Sequence, residues 1–291
     1  MRSKNTWLAI SLIGIIFGIV IVSKESRSDT INFATAEDLI KNCQKEDNCL
    51  EIIEAANKVK KVLKDLDLEG ANLAGANLEK ISFINTNLSN ADLRIAYLEK
   101  AVLFNSNFTG ANLDSAYLQQ AYLENSNFTE ANLRRAKLAS ANLTGANFVN
   151  SNLTQANLDT ANLENANLKG ADLTSALIGS YAKLQGTNFE YANLKGANFR
   201  SASLSGTILN GANLEGAIIL RDRSGEYSNG TNGIAEIKSA CNWQKAIYIL
   251  KDNRREVDKA ANQKFIEKLK QDKAYDPLEA VDCSKWQDDR N

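Results

Sequence analysis

A large apolar residue recurs at every fifth position across the middle of the chain, and a small residue stands two places before it. In the run ANLTGANFVNSNLTQANLDTANLENANLKGADLTS, residues 141–175, the large residue is Leu or Phe and the small one is mostly Ala. With the large residue called i, the series runs from Leu68 to Ile178, slips by one residue, and resumes from Leu184 to Ile219. These 31 units span more than half of the chain. A fixed short period of this extent predicts a repeat fold.

A period of five fits neither a long amphipathic helix, which needs about 3.6, nor an uninterrupted strand, which needs about 2. Positions i−2 and i are two apart, so they point to the same side of a short extended segment, and i−1 points to the other side. The inward pair is therefore Ala and Leu, and the outward residue is Asn or Asp. Ten of the 16 glycines stand at i+2, where a tight turn needs the positive φ that glycine tolerates.

A second period of 20 residues organises the units into coils. Residues 96–115 and 116–135 match at 13 of 20 positions, so four units complete one square coil. Phe108, Phe128 and Phe148 then fall in one column, which Phe189 rejoins if the extra residue near Gly179 forms a bulge. At a strand spacing of about 4.8 Å, the units give just under eight coils and a rod roughly 37 Å long.

The repeated A(D/N)LXX signature of residues 66–219 resembles the pentapeptide-repeat family. The resemblance implies an all-β solenoid, specifically a right-handed quadrilateral β-helix. It implies little about function, because the signature describes the rod and not a site.

Residues 1–29 have the pattern of a targeting segment. Basic Arg2 and Lys4 precede an apolar run from Trp7 to Val22, which Lys24 follows. Sixteen helical residues span about 24 Å, short of the roughly 30 Å hydrocarbon core, yet no A-x-A cleavage site follows. A cleaved signal peptide and a retained membrane tether through the apolar run both stay open. Either predicts an extracytoplasmic protein, in a periplasm or a thylakoid lumen.

The segments that flank the rod have helical patterns. Helix-start signals open residues 36–42 and 49–63, and apolar stripes run through residues 234–251 and 253–270. An open β-helix end exposes unpaired backbone groups and apolar core. We therefore predict helical caps at both ends, in residues 30–65 and 220–291. The C-terminal segment could instead be a partner-docking module, because its length exceeds what one end requires.

The composition argues against an enzyme and against several binding partners. The chain has no His, so Ser-His-Asp triads and His-rich zinc sites are excluded, and we expect no metal and no cofactor. The net charge is −1, which argues against a nucleic-acid partner. The resemblance includes cytoplasmic members that inhibit topoisomerase by mimicking DNA. That role needs a dense acidic face, whereas residues 66–219 mix 13 Asp and Glu with 10 Lys and Arg.

The four cysteines predict two disulfides. An even count behind an export signal favours disulfides over free thiols. Cys43 and Cys49 lie in the predicted N-terminal cap, and Cys241 and Cys283 lie in the predicted C-terminal cap. A disulfide needs Cα atoms within about 7 Å, but the caps lie at opposite ends of the rod. The predicted pairs are therefore Cys43 with Cys49 and Cys241 with Cys283.

One group of outward residues departs from the polar pattern of the rod. Tyr97 and Tyr117 are 20 apart at i−1, so they share a face, and Val102 and Tyr122 do the same on the adjoining face, with Phe104 nearby. We call these five residues the aromatic patch. It could bind a protein partner or act only as a stabilising ladder.

Two functions follow from these observations. The first is a non-enzymatic, exported structural or interaction protein whose rigid rod presents a binding surface to an unknown protein partner. The second is an enzyme or small-ligand-binding protein with its site in the C-terminal cap. A DNA-mimicking topoisomerase inhibitor is a minor third.

Overall fold

The computed structural model describes residues 9–10, 22–23, 53, 62–179, 181–219, 237–246, 258–271 and 281–286. Near the N-terminus, strand β1 (Ala9–Ile10) pairs antiparallel with strand β2 (Val22–Ser23). The rod begins with strand β3 (Val62–Lys64), which pairs in parallel with strand β4 (Ser82–Ile84). The described residues from 237 onwards, here called the C-terminal segment, contain helix α1 (Lys259–Gln271) and two 3-10 helices, Trp243–Lys245 and Ser284–Trp286.

Four columns of parallel bridges form the walls of the rod. Within the rod, each bridge joins an outward i−1 residue to the i−1 residue one coil further on, which is 20 positions later except in the coil that contains the extra residue near Gly179, where it is 21. Wall A runs through residues 67, 87, 107, 127 and 147, wall B through 72, 92, 112, 132 and 152, wall C through 77, 97, 117, 137 and 157, and wall D through 82, 102, 122, 142 and 162. The cross-section is therefore four-sided, as the period of 20 predicts.

The core consists of the i and i−2 side chains. Nearly all of them are fully buried, including an uninterrupted stack of Phe108, Phe128 and Phe148, whose adjacent ring centroids lie 4.7 Å apart. Between walls, the i+2 residue of each described corner has a positive φ. Glycine occupies 10 of these corners, and the other 21 carry side chains, mostly polar ones. The corners thus depend less on glycine than its position in the sequence suggests.

The predicted bulge near Gly179 is confirmed. Asn157 bridges Leu177 at a separation of 20, whereas Asn162 bridges Lys183 at a separation of 21, so the extra residue lies in the corner between them. Asn167 then bridges Asn188. The core column that contains the stacked phenylalanines therefore continues to Phe189, as predicted.

The paired part of the rod starts earlier than the sequence suggests. Val62, Leu63 and Lys64 form strand β3, so the end of the helix predicted for residues 49–63 is wrong. Leu63 is fully buried and stands 20 residues before Phe83, so it joins a core column. Of residues 30–61 in the predicted N-terminal cap, the structure describes only Ile53, which is helical and buried.

The predicted targeting segment is described only at β1 and β2. Within the described part of the chain, no helix has the length and apolar character needed to cross a membrane. Cys43 and Cys49 lie outside the described residues, so their predicted pairing stays a prediction.

The C-terminal segment adds a further level to the end of the rod. Cys241 bridges Asn213 of wall B, and the N–H of Leu214 donates to the carbonyl of Cys241 (2.9 Å). The single helix predicted for residues 234–251 is therefore wrong around Cys241, and Asn242 has φ 56°. The exposed backbone groups of the last coil need partners, and this requirement outweighs helical periodicity.

Helix α1 and a disulfide complete the described C-terminal segment. Helix α1 falls almost entirely within the helix predicted for residues 253–270 and buries Phe265, Ile266 and Leu269. Cys241 is bonded to Cys283, with Cα atoms 5.6 Å apart, which is one of the two disulfides that the sequence predicts.

Candidate interaction surface

Wall C carries a short aromatic stack on its outer surface. The rings of Tyr97 and Tyr117 are stacked, with centroids 4.9 Å apart and planes 16° apart. The ammonium of Lys137, one coil further on, lies 3.8 Å from the centroid of Tyr117. Parallel bridges bring these three residues into register. The stack therefore has one end covered by a cation, and the other end, Tyr97, faces the coil of Asn77.

The remaining members of the aromatic patch lie on wall D and the corner that follows it. Tyr122 is 50% exposed, whereas Val102 and Phe104 are half-buried. Val102 bridges Tyr122, so the two share a wall. The structure thus places the five predicted residues on two adjoining walls, C and D, and on the corner that follows wall D. The polar corners Glu99-Lys100 and Gln119-Gln120 separate the wall C members from the wall D members.

Ile95 belongs to the same surface, although the sequence analysis did not single it out. It is 53% exposed and has φ 58°, and it lies at the corner where the chain enters wall C. A β-branched residue in the left-handed region is strained, and here only about half of the residue is buried in compensation. The sequence pattern does not identify it, because the pattern assigns i+2 positions only to turns.

A shallow groove lies beside Tyr97 on wall C. Its volume is about 460 Å³, and its lining consists of Gly75, Asn77, Glu79, Tyr97, Glu99, Lys100, Gln119 and Gln120. The lining combines one aromatic ring with amide and charged groups. No single repeat contains such a set, because the residues come from three successive coils. The residues that form the groove are therefore about 20 positions apart in the sequence, and no local motif identifies them.

Wall A has a different character, since its polar side chains bond to one another along the rod. The amide of Asn107 donates to Oδ1 of Asn87 (3.1 Å), and that of Asn147 donates to Oδ1 of Asn127 (3.2 Å). Asn127 also donates to the hydroxyl of Thr109 (2.9 Å). These amides stabilise the rod and are less available to a partner than the side chains of wall C.

Candidate metal ligands are not grouped in the described residues: no cluster of His, Cys, Asp and Glu there could hold a metal ion. Several acidic residues on the rod are instead paired with neighbouring cations. Asp92 pairs with Arg94 (2.6 Å), and the hydrogen bond from Arg94 lowers the pKa of Asp92. These carboxylates are structural surface groups.

The family model for pentapeptide repeats matches the rod in eight copies, over residues 63–103, 106–145, 136–177 and 180–219. The chain belongs to the pentapeptide-repeat family. Proteins of this family fold as right-handed quadrilateral β-helices, and the four bridge columns of this pentapeptide-repeat protein agree with that architecture.

Several solved structures are similar to this pentapeptide-repeat protein. HetL from Nostoc sp. strain PCC 7120, described as involved in heterocyst differentiation regulation, is 28% identical over 66% of this chain and 90% of HetL, with a TM-score of 0.27. QnrB1, a plasmid-mediated fluoroquinolone resistance protein, is 19% identical over 54% of this chain and 82% of its own, with a TM-score of 0.32. A pentapeptide-repeat protein from the Arabidopsis thaliana thylakoid lumen is 30% identical over 34% of this chain and 67% of its own, with a TM-score of 0.17. No curated protein matches the chain.

Proposed function

We propose that this pentapeptide-repeat protein is a non-enzymatic, exported interaction protein, which binds a protein partner through the aromatic patch and Ile95. The observation that carries the proposal is the exposure of Tyr97, Tyr122 and Ile95 on adjoining walls of a largely polar rod. Tyrosine is enriched at interfaces, because its ring supplies contact area and its hydroxyl a hydrogen bond.

The rod supports this role by fixing the patch before a partner arrives. The N–H of Tyr97 donates to the carbonyl of Ala76 (2.9 Å), and the N–H of Tyr122 donates to the carbonyl of Ala101 (2.8 Å). Similar bonds hold each wall to the coil on either side. A surface that is already ordered loses little conformational entropy on binding, which favours affinity.

The strain at Ile95 supports the same proposal. Asn or Gly would satisfy the left-handed corner at lower energy, and both residues occupy many of the other corners. A strained residue that is about half exposed is a candidate for a functional contact. Ile95 precedes Tyr97 by two positions, so it extends the apolar surface of wall C.

The charges on the rod favour a protein partner over a role as a DNA mimic. Asp92 pairs with Arg94, and Asp114 pairs with Arg135 (2.9 Å). Both pairs place a guanidinium beside the carboxylate, so the signs alternate along wall B and its corner. A continuous acidic face like that of a nucleic-acid duplex is therefore not a feature of these walls.

The disulfide supports export, because such bonds persist in oxidising compartments. We propose a periplasm or thylakoid lumen as the location. A reporter protein that is active only after export, fused after Ser28, tests this step. The proposal would be contradicted if, at the same position, only a reporter that is active in the cytoplasm showed activity.

The interaction is tested by capture of partners from the native compartment with the tagged full chain. We expect the double variant Tyr97→Ser/Tyr122→Ser to lose a partner that the wild type retains. Ile208→Ser is the matched control, because Ile208 is also a large exposed apolar residue (46%) but lies on wall A. Equal capture by the wild type and the double variant would contradict the assignment of the surface.

A further inference from the structure

The groove on wall C is a continuation of the tyrosine stack. The ring of Tyr97 has Tyr117 against one face, and its opposite face points along the wall toward Asn77, the residue that it bridges. The ring centroids of Tyr97 and Tyr117 are 4.9 Å apart, which is close to the spacing of about 4.8 Å between adjacent coils. A flat group laid on the outer face of Tyr97 would therefore lie level with the coil of Asn77, inside the groove.

We propose that this groove binds the guanidinium of an arginine side chain of the protein partner, stacked on Tyr97 and bonded to Glu99. The inference rests on the proposed function, since it names the group that the partner places at one part of the aromatic patch.

The rod itself shows that this stack accepts a cation at its end. The ammonium of Lys137 lies over Tyr117 at 3.8 Å from the ring centroid. The negative face of an aromatic ring attracts a cation, and arginine is the commoner partner in proteins. An arginine in the groove would occupy the position relative to Tyr97 that Lys137 occupies relative to Tyr117.

The charges that line the groove favour a cation. The lining holds two carboxylates, Glu79 and Glu99, and one ammonium, Lys100. Glu79 already pairs with Lys80 (2.5 Å), and this hydrogen bond, together with the charges of Lys80 and Lys100, lowers the pKa of Glu79. Both lysines thus act on Glu79. Glu99 makes no ion pair with any of the described residues, so its carboxylate is the expected partner of the guanidinium.

A buried amide oxygen beside the groove lacks a hydrogen-bond donor. Gln119 lines the groove, and its Oε1 atom is buried without a hydrogen-bond partner among the described residues. A guanidinium has five N–H donors and no acceptor. Its planar fork can therefore stack on Tyr97 while its edge donates to Glu99, and a rotation of the Gln119 side chain would bring Oε1 to a further N–H donor. A compact ammonium cannot match this arrangement.

The space for a flat group comes from small residues in the first coil of wall C. A Cβ atom built on Gly75 would have nothing within 4 Å, and Asn77 is much shorter than the tyrosines that follow it on the same wall. Asn77→Tyr should therefore extend the stack by one ring of the protein's own and fill the groove. Tyrosine at this wall position is compatible with the fold, as Tyr97 and Tyr117 show.

The test is a titration of the full-length protein, with ¹³C-labelled tyrosine rings, by the peptide acetyl-Gly-Arg-Gly-amide. We expect the Tyr97 ring signals to shift, with a Kd in the millimolar range. The same peptide with citrulline, which is planar but uncharged, should bind at least fivefold more weakly, and so should the lysine peptide. Equal binding of the citrulline or lysine peptide would overturn the assignment of a guanidinium site.

Two variants and a control locate the binding. Asn77→Tyr should weaken arginine-peptide binding at least tenfold, and Glu99→Gln, which changes only charge, should weaken it at least threefold. Asn157→Tyr is the matched control, because it adds a tyrosine to wall C on the far side of Lys137 and leaves the groove unchanged. Unchanged affinity in both Asn77→Tyr and Glu99→Gln would overturn the site.

The failure of this inference can be separated from that of the proposed function. If partner capture requires Tyr97 and Tyr122 but is unaffected by Asn77→Tyr and Glu99→Gln, the interaction protein stands and the arginine site falls. If no partner depends on the patch while the arginine peptide still binds as described, the proposed function fails. The groove would then bind a guanidinium group, but without a role in binding a protein partner.

Discussion

Corner residues show how a side chain can be poorly suited to the backbone conformation at its position. Each described corner has a residue with positive φ, and most of the side chains there are Asn, Gly or other polar residues. Ile95 is β-branched and has φ 58°, a combination that costs about 1 to 2 kcal/mol relative to glycine. Because Ile95 is about half exposed, burial offsets its strain less than it would in the core.

Ile95→Asn should therefore stabilise the protein by roughly 1 kcal/mol, and it should also weaken partner capture if Ile95 belongs to the interface. Chemical denaturation measures the first effect. The reverse change at an equivalent corner, Asn90→Ile (φ 57°), is the control and should destabilise by a similar amount. A destabilising Ile95→Asn would show that Ile95 makes contacts which outweigh its backbone strain.

Core and wall positions should differ strongly in their tolerance of truncation. Phe128 is fully buried between Phe108 and Phe148, and its ring centroid lies 4.7 Å from the ring centroid of each. Phe128→Ala removes both contacts and leaves a cavity, so we expect a loss of about 3 to 5 kcal/mol. Asn132→Ala on wall B removes a 3.0 Å hydrogen bond to Asn112, worth about 1 kcal/mol. Equal losses of unfolding free energy at the two positions would be inconsistent with the inward face assigned here.

At the scale of elements, the repeat predicted the rod well because one local rule is applied at every coil. The five-residue period identifies the inward residues, and the period of 20 places residues in the same column, which is why Tyr97 and Tyr117 were grouped correctly. Both periods fail where the chain leaves the rod. Residues near Cys241 have helical periodicity but pair with the last coil, since the backbone groups of Leu214 and its neighbours need partners.

The repeat pattern does not predict the groove, for a related reason. Its shape depends on the difference in size between Asn77 and Tyr97 at one wall position, and on Gly75 at the preceding corner. A repeat pattern treats these positions as equivalent. The contrast between neighbouring coils, not the repeat itself, carries the information about the site.

The corner that holds the extra residue depends on a glycine for a steric reason. Among the described glycines, Gly179 alone lies outside the positive-φ corners, and a Cβ atom there would lie 2.6 Å from the carbonyl oxygen of Arg200. Gly179→Ala should force the coils apart locally and destabilise the rod by about 1 to 3 kcal/mol. Gly75→Ala is the control, since it meets no atom within 4 Å but has φ +69°, and should cost about 1 kcal/mol. A neutral Gly179→Ala would show that the bulge can relax.

On the scale of the whole molecule, the C-terminal segment acts as a lid held by a few long-range contacts. The indole N–H of Trp286 donates to the carbonyl of Gly211 (2.7 Å), and the ammonium of Lys285 donates to the carbonyl of Tyr191 (3.2 Å). The Cys241–Cys283 bond joins this part of the lid to the level that pairs with the last coil. In a solenoid each coil contacts only its neighbours, so opening is expected to begin at an end.

Loss of the disulfide should therefore loosen one end of the rod while the middle stays closed. A disulfide that closes a loop of this length contributes about 2 to 4 kcal/mol, so in the double variant Cys241→Ser/Cys283→Ser the backbone amides that bond to the lid should exchange with solvent roughly 30 to 1000 times faster. Those amides belong to Gly211, Leu214 and Gly216.

The internal control for this experiment is Asn132, whose backbone amide bonds to Ala111 in the middle of the rod and should keep the wild-type exchange rate. Equal acceleration at Asn132 and at Leu214 would mean that the rod unfolds as one cooperative unit. The disulfide would then stabilise the whole solenoid, and the lid would not be an independent structural level. Acceleration confined to the last coil would show that the bond acts where the chain leaves the repeat, which is also where helical periodicity failed to predict the structure.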